Sequence, residues 1–123
     1  MFIAPTPEQI DQLQQSASES DRPVVMLNLL KFKPDGGAAS YERYAQAALP
    51  LLTKIGARVV WYGSGDSVVI GDTEADKWDS VLLVEYPSLE IFLKMALGPE
   101  YAEFSHFRTE ALADSRLIAC SSY

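Results

Sequence analysis

A single asparagine interrupts an otherwise apolar segment near the start of the chain. Asn28 follows Val24-Val25-Met26-Leu27 and precedes Leu29-Leu30. A buried amide that lacks hydrogen-bond partners is costly, so this side chain must meet polar atoms wherever the segment is packed. Two interpretations stay open. Either the amide points into a cavity and holds a ligand oxygen, or it makes a structural hydrogen bond at a strand irregularity or a dimer seam.

Two charged residues occupy positions that are predicted to be at least partly buried. Glu85 ends the apolar segment 78–86, where a carboxylate can act as a general base or contact a ligand, or can simply be hydrated or ion-paired. Arg108 falls inside the apolar arc of a helix predicted over residues 99–113. An arginine there must be paired, and we expect its partner to be Glu85 or a ligand carboxylate.

The chain has one histidine, His106, and histidine is a frequent catalytic residue and metal ligand. On the predicted helix 99–113 it lies nearly opposite the apolar face, beside Glu103 and Glu110, which favours a solvated side chain. The alternative role for His106 is that of an axial haem ligand.

Aromatic side chains are the remaining candidates for a binding site. Trp61 and Tyr62 are neighbours on a predicted strand, so they face opposite sides of the sheet. Tyr44 lies with Tyr41 on the packed face of a helix predicted over about 41–55, which we expect Ser40 to cap. We take Trp61 and Tyr44 as apolar walls of a binding site, although packing in the core or in an interface is the default interpretation of such residues.

No metal or cofactor site is expected. The acidic turn Asp72-x-Glu74-x-Asp76 lacks the glycine and the glutamate of an EF-hand loop, because Lys77 and Leu83 occupy those positions. The lone cysteine, Cys120, cannot form an internal disulfide and is interpreted as a small buried apolar residue.

Length and charge limit the classes of function. The 123 residues suffice for one core, and the net charge of −7 makes nucleic acid and anionic membranes poor partners. The first residues lack the positively charged segment and the long apolar run that are typical of a signal peptide. No apolar run in the chain is long enough to span a membrane. We therefore expect a cytoplasmic protein.

The order of the predicted elements indicates the fold. A helix is predicted to begin at Thr6-Pro7-Glu8-Gln9. The remaining sequence predicts a strand, a helix, two strands, a broken helix and a last strand. This is the βαββαβ order of ferredoxin-like α+β domains. We expect one domain over residues 1–123, with a helical extension at 1–22 and a core at 24–121.

The strands at 24–32 and 78–86 are apolar on both faces, as central strands covered on both sides must be. Two helices can cover only one face of the sheet. We therefore expect a second copy to cover the other, giving a homodimer with a shared barrel.

Several segments resemble a known family. They are Met26-Leu27-Asn28-Leu29-Leu30-Lys31-Phe32-Lys33, the helix with Tyr41 and Tyr44, Tyr86-Pro87-Ser88, and Gly98-Pro99-Glu100-Tyr101 followed by Arg108. In order and spacing they resemble the DUF1330 family of dimeric α+β-barrel proteins. The resemblance implies a ferredoxin-like dimer with a ligand-sized cavity but no particular activity, since the wider superfamily includes cofactor-free monooxygenases, haem degraders, isomerases and stress-response barrels.

The sequence thus favours a dimeric barrel that binds a small organic, carboxylated or otherwise polar molecule. Asn28 and Arg108 would orient the ligand, and Glu85 is the candidate for moving a proton in a cofactor-independent oxygenation or isomerisation. Two alternatives remain: a non-catalytic interaction or stress-response module, and a haem-binding or haem-degrading protein that uses His106.

Overall fold

The structure, a computed structural model, describes all residues from Met1 to Tyr123. Five helices and four strands follow one another along the chain. In order they are α1 (Pro7–Glu19), β1 (Val24–Phe32), α2 (Gly37–Lys54), β2 (Arg58–Ser64), β3 (Ser80–Tyr86), α3 (Leu89–Ala96), α4 (Pro99–Ala102), α5 (Ser105–Ala111) and β4 (Leu112–Cys120).

The four strands form one antiparallel sheet in the order β2-β3-β1-β4. The two strands whose sequences are apolar on both faces, β1 and β3, are the central pair, as the pattern predicts. In this register Asn28 lies opposite Leu82 on β3 and Leu117 on β4. The fold is therefore ferredoxin-like, with an added N-terminal helix.

The two faces of the sheet have different surroundings. Alternate residues of the central strands, including Met26, Leu30, Val84 and Tyr86, are buried beneath the helices and form the core. The residues between them point to the other side, which no helix covers. We call this side the open face; it is formed by Val25, Leu27, Leu29, Val81, Leu83, Trp61 and Ile118.

Helix α1 begins as the sequence predicts. The hydroxyl oxygen of Thr6 accepts from the backbone N–H of Gln9, and the side chain of Gln9 accepts from the backbone N–H of Thr6. Leu13 and Ala17 pack the helix against the core beside α3. None of the helices is both long and apolar enough to cross a membrane.

Helix α2 starts four residues earlier than predicted. Its N-cap is Gly36, whose φ of 82° suits glycine, and no side chain caps the helix. Ser40 is therefore not the cap. It is buried in the first turns of the helix, where its hydroxyl donates to the carbonyl oxygen of Phe107 at 3.2 Å and joins α2 to α5.

Two further boundaries differ from the sequence prediction. The predicted helix 99–113 is split into α4 and α5, and β4, which the sequence pattern places at Arg116 to Ser121, begins at Leu112. The apolar run Val68-Val69-Ile70 predicts that the second strand resumes there, but no strand forms at residues 68–70. Val69 and Ile70 instead lie in the β2–β3 loop with 92% and 95% of their surface exposed, because no neighbouring strand of this chain reaches them.

A one-residue bulge changes the side of the sheet to which the side chains of β2 point. Val59 lies opposite Val84, but the next paired residue is Trp61, opposite Leu83, so Val60 is the extra residue. Side chains alternate along a strand, and the insertion therefore reverses the alternation after Val59. As a result Trp61 lies on the open face and Tyr62 on the helix-covered side.

The N-terminal residues are attached to the start of β4. Asp114 Oδ1 accepts from the backbone N–H of Phe2 at 2.9 Å, and the hydroxyl of Ser115 donates to the carbonyl oxygen of Phe2 at 2.6 Å. The guanidinium of Arg116 stacks on the Phe2 ring, 4.7 Å from its centroid. We call residues 2–3, with these contacts, the N-terminal strap.

Candidate functional site

A cavity of about 250 Å³ lies between the helix-covered side of the sheet and the helices of the same chain. Almost all of its wall is apolar or aromatic. The lining residues are Asn28, Tyr41, Tyr44, Ala45, Ala48, Leu49, Leu51, Leu52, Val59, Tyr62, Leu82, Val84, Tyr86, Met95, Tyr101 and Phe104. A concave, mostly apolar site with few polar groups is the usual form of a small-molecule site.

The cavity has a buried end and an open end. Leu49 on α2 and Val59 and Tyr62 on the edge strand β2 are 56%, 43% and 50% exposed, so the mouth lies between α2 and that edge. Asn28, Tyr41 and Tyr86 are buried and line the inner end. A ligand that enters through the mouth would thus meet its polar contacts at the inner end.

Asn28 offers the cavity a hydrogen-bond acceptor. Its Nδ2 group donates to the carbonyl oxygens of Met26 and Leu82, each at 3.3 Å, which fixes the amide against β1 and β3. No protein group donates to Oδ1. Every fully enclosed side-chain polar atom of the chain has a hydrogen-bond partner, so Oδ1 is not fully enclosed, and Asn28 lines the cavity. The amide nitrogen of Asn28 thus makes structural hydrogen bonds and its oxygen is available, while the ligand-binding interpretation stays a prediction.

Tyr44 on α2 and Tyr101 on α4 share one hydrogen bond, 2.8 Å between their hydroxyl oxygens. Each phenol has one proton, so one tyrosine donates to the other, and the accepting tyrosine keeps its own proton free. The rings also meet edge to face, with centroids 6.0 Å apart. The pair is thus held rigidly and has one spare donor.

The buried phenols are donors throughout the physiological pH range. Burial raises the pKa of Tyr41, Tyr44 and Tyr86 well above the usual value, and the neighbouring tyrosine hydroxyls raise each of these pKa values further. For Tyr41 and Tyr44 the charge of Arg108 opposes this effect only in part. The inner end of the cavity is therefore lined by neutral O–H groups.

The structure does not bring Glu85 to the cavity. Glu85 lies on the open side of the sheet, opposite Val25, and its Oε1 accepts from Arg58 Nε at 3.0 Å. The expected pairing of Glu85 with Arg108 is therefore wrong, because the two residues belong to opposite sides of the sheet. A proton-transfer role for Glu85 in this cavity does not fit the geometry.

Arg108 has a different partner from the one expected. Its Nη1 donates to the carbonyl oxygen of Ile3 in the N-terminal strap at 2.9 Å, and the side chain does not line the cavity. Its charge acts on Tyr41 and Tyr44, whose pKa values it lowers slightly against the larger effect of burial, but the guanidinium has no direct access to a ligand. Backbone from the extra N-terminal segment satisfies this half-buried arginine.

Tyr62, and not Trp61 as expected from the sequence, lines the cavity. The bulge in β2 leaves Trp61 half exposed on the open face, where it cannot line the cavity, and directs Tyr62 to the mouth. Tyr44, by contrast, lies in the cavity wall as proposed from the sequence.

His106 lies outside the cavity. It is exposed on α5, where it stacks on Phe107 with ring centroids 4.2 Å apart. The residues do not fit haem, because His106 cannot reach the cavity. Moreover, the cavity volume of about 250 Å³ is below the range of about 300–1,000 Å³ that is typical of pockets for drug-sized ligands. A porphyrin is larger than such ligands.

Four tyrosines of the cavity wall are absent from the sequence-based site: Tyr41, Tyr62, Tyr86 and Tyr101. Tyr86 ends a central strand and could have been assigned by alternation from Val84. Tyr101 required the packing of α4 against α2, for which the sequence carries no signal.

The family is identified by its sequence pattern. The pattern of DUF1330, a domain of unknown function, matches residues 36–121. The chain belongs to the DUF1330 family. This confirms the resemblance seen in the sequence, although β1 precedes the matched region. No curated protein is significantly similar to the chain.

Solved structures extend the comparison of this DUF1330 protein. The crystal structure of RPA0582, a protein of unknown function from Rhodopseudomonas palustris, is 33% identical with a TM-score of 0.90, and the match covers 99% of this chain and 97% of that chain. β1 and α1 therefore have counterparts in a related protein.

More distant structures share the fold alone. A dimeric ferredoxin-like protein of unknown function from Bacteroides fragilis is 17% identical with a TM-score of 0.58, over 81% of this chain and 96% of that chain. The hydroxynitrile lyase of Passiflora edulis is 13% identical with a TM-score of 0.60, over 82% of this chain and 94% of that chain.

Proposed function

We propose that this DUF1330 protein is a homodimer in which each protomer binds a small, largely apolar molecule in the cavity between its sheet and its helices. The observation that carries the proposal is the free Asn28 Oδ1 at the inner end of an aromatic-lined cavity of about 250 Å³. A protein that served only as an interaction module would have no need of such a cavity.

The open face supports the dimer. Its centre is apolar, with Leu27 between Leu83 and Ile118 in the register, while charged residues lie at its two ends. An apolar centre with a polar rim is the arrangement of stable protein interfaces. Neighbours of the same fold are described as dimeric, which agrees with a partner sheet over this face.

The cavity favours binding over base-driven catalysis. No carboxylate, imidazole or amine lines it, so no side chain there can remove a proton as a general base. The fold does support an enzyme in the Passiflora edulis lyase, but at 13% identity that activity is not transferable. An oxygenation or isomerisation would have to rely on the O–H donors and the amide alone.

A cavity-filling variant tests the binding site. Ala45 lines the cavity on α2, and Ala39 is exposed on the same helix. We expect Ala45→Phe to abolish the thermal stabilisation given by hits from a library of small aromatic and aliphatic molecules, and Ala39→Phe to preserve it. Hits that stabilise both variants equally bind elsewhere, and that result would overturn the proposal.

A further inference from the structure

We infer that the cavity binds an uncharged aromatic molecule of about two fused rings that carries a hydroxyl or carbonyl oxygen, and that it discriminates against carboxylates. The inference rests on the proposed function and specifies the ligand of the same site. Size, wall composition, hydrogen-bonding groups and charge each contribute to it.

The volume of the cavity limits the size of the ligand. An engineered apolar cavity of about 150 Å³ in another protein binds benzene, and drug-sized ligands need about 300 Å³ or more. The 250 Å³ of this cavity falls between these values. A two-ring molecule is the size that fits without displacing the helices.

The wall is built from rings that already contact one another. Tyr101 and Phe104 meet edge to face at 5.3 Å between centroids, and Tyr44 lies 5.9 Å from Phe104. Aromatic rings prefer offset or edge-on neighbours, so a flat ligand ring gains more here than an aliphatic chain of equal area.

Donors and an acceptor line the same cavity. The Tyr44–Tyr101 pair has one spare O–H, and the hydroxyl of Tyr41 has no protein partner although the residue is only 2% exposed. Asn28 Oδ1 is the free acceptor of this cavity. A ligand hydroxyl can donate to the amide oxygen and accept from a phenol, and a carbonyl oxygen can accept from both phenols.

Charge excludes anionic ligands. The cavity wall contains no cation, and the guanidinium of Arg108 is held outside it by the carbonyl oxygen of Ile3. A carboxylate in this cavity would lose its hydration without gaining an ion pair, which costs several kcal/mol. The expectation of a carboxylated ligand, which depended on Arg108, is replaced by that of a neutral one.

Three probes of equal ring size test the inference at pH 7: 2-naphthol, naphthalene and 2-naphthoate, titrated into the full-length protein. We expect 2-naphthol to bind about tenfold more tightly than naphthalene, as one or two net hydrogen bonds provide, and at least tenfold more tightly than 2-naphthoate. The double variant Tyr44→Phe/Tyr101→Phe, which removes both phenol protons of the pair, and Asn28→Leu should each lower the affinity for 2-naphthol about tenfold. Tyr123→Phe, at the exposed C-terminus, is the control and should leave it unchanged.

The outcomes separate this inference from the proposed function. If 2-naphthoate binds as tightly as 2-naphthol, or naphthalene binds equally well, the cavity is a ligand site but the inferred chemistry is wrong. If none of the three probes binds, the inference fails, and the library screen with Ala45→Phe and Ala39→Phe decides the proposed function. Should Asn28→Leu fail to fold, the double variant Tyr44→Phe/Tyr101→Phe decides, because phenylalanine keeps both rings in place.

Discussion

Tyr44 and Tyr101, which lie 57 positions apart in sequence, join α2 to α4 through a hydroxyl–hydroxyl hydrogen bond of 2.8 Å. The bond closes one side of the cavity and ties the short helix α4 to the longest helix of the chain. The two residues therefore act as a unit, both in stability and in ligand contact.

A double-mutant cycle measures this unit. Tyr44→Phe and Tyr101→Phe should each lower the free energy of unfolding by about 0.5–1.5 kcal/mol, because each removes the same hydrogen bond. The double variant should cost less than the sum of the single variants, with a coupling energy of similar size. Urea denaturation of the four proteins provides the measurement, and strictly additive effects would show that the bond contributes nothing.

Alkaline pH should destabilise the fold. Burial raises the pKa of Tyr41, Tyr44 and Tyr86 in the folded state, while in the unfolded chain they ionise near pH 10. Above about pH 10 the unfolded state binds fewer protons than the folded state, so stability is lost as pH rises. Each tyrosine contributes a slope of about 1.4 kcal/mol per pH unit, or about 4 for the three.

Urea midpoints between pH 8 and pH 11.5, read together with phenolate absorbance, test this slope. Tyr41→Phe should reduce it by about a third, whereas Tyr123→Phe should not change it. Ionisation of the three phenols without unfolding would contradict the burial that defines the inner end of the cavity.

A charge in the centre of the open face should separate the dimer. Leu27→Lys places an ammonium group between Leu83 and Ile118, where the proposed partner sheet would have to bury it. Sedimentation at micromolar concentration should give the mass of one chain, with an unchanged circular dichroism spectrum. Gln46→Lys, exposed on α2, is the matched control.

A second substitution on the open face tests the dimer independently, in case the Leu27→Lys variant does not fold. Trp61→Glu changes a half-exposed residue on the edge strand and spares the central strands. If both variants keep the mass of a dimer, the interface lies elsewhere. If the wild-type protein sediments as a folded single chain, there is no dimer to explain.

Acid should loosen the N-terminal strap. The pKa of Asp114 is lowered mainly by the hydrogen bond from the backbone N–H of Phe2. Hydrogen bonds from the Arg116 side chain and from the backbone N–H of Ser115 lower this pKa further. The stabilisation is therefore complete above the unfolded pKa, near 4, and is lost as pH falls through the lower folded value. Asp114→Asn should lower the Tm by a few degrees at pH 7 and by less at pH 2.5.

Asp35→Asn in the exposed loop before α2 serves as the control for the loss of one carboxylate. Calorimetry at both pH values compares the three proteins. An equal effect of Asp114→Asn at pH 7 and at pH 2.5 would mean that the carboxylate does not hold the strap through its charge.

The sheet could be predicted from the sequence because its central strands are apolar on both faces. β1 and β3 need cover from two sides, and in a βαββαβ order only the two inner strands receive it. Helix α1 was equally predictable, since its Thr6–Gln9 capping box is a local signal. The break between α4 and α5 was not, because tertiary contacts override the helical pattern there.

The site was harder to predict because it depends on which way each side chain points. Asn28 was found because it is polar in an apolar strand, and Tyr44 because it lies on the packed helix face. Glu85 and Trp61 were misplaced because alternation alone does not say which side of a sheet the helices take. Tyr101 reaches the cavity only through the docking of α4.

The bulge at Val60 has a consequence for how this cavity can change. If Val60 instead paired with Leu83 and no bulge formed, Trp61 would come opposite Leu82, which would turn its indole into the entrance and the phenol of Tyr62 out of it. Loss of the bulge without loss of a residue can thus exchange one ring at the entrance for another while the helices keep their positions. Substitutions that abolish or restore this bulge are therefore a route by which relatives could acquire different ligand preferences.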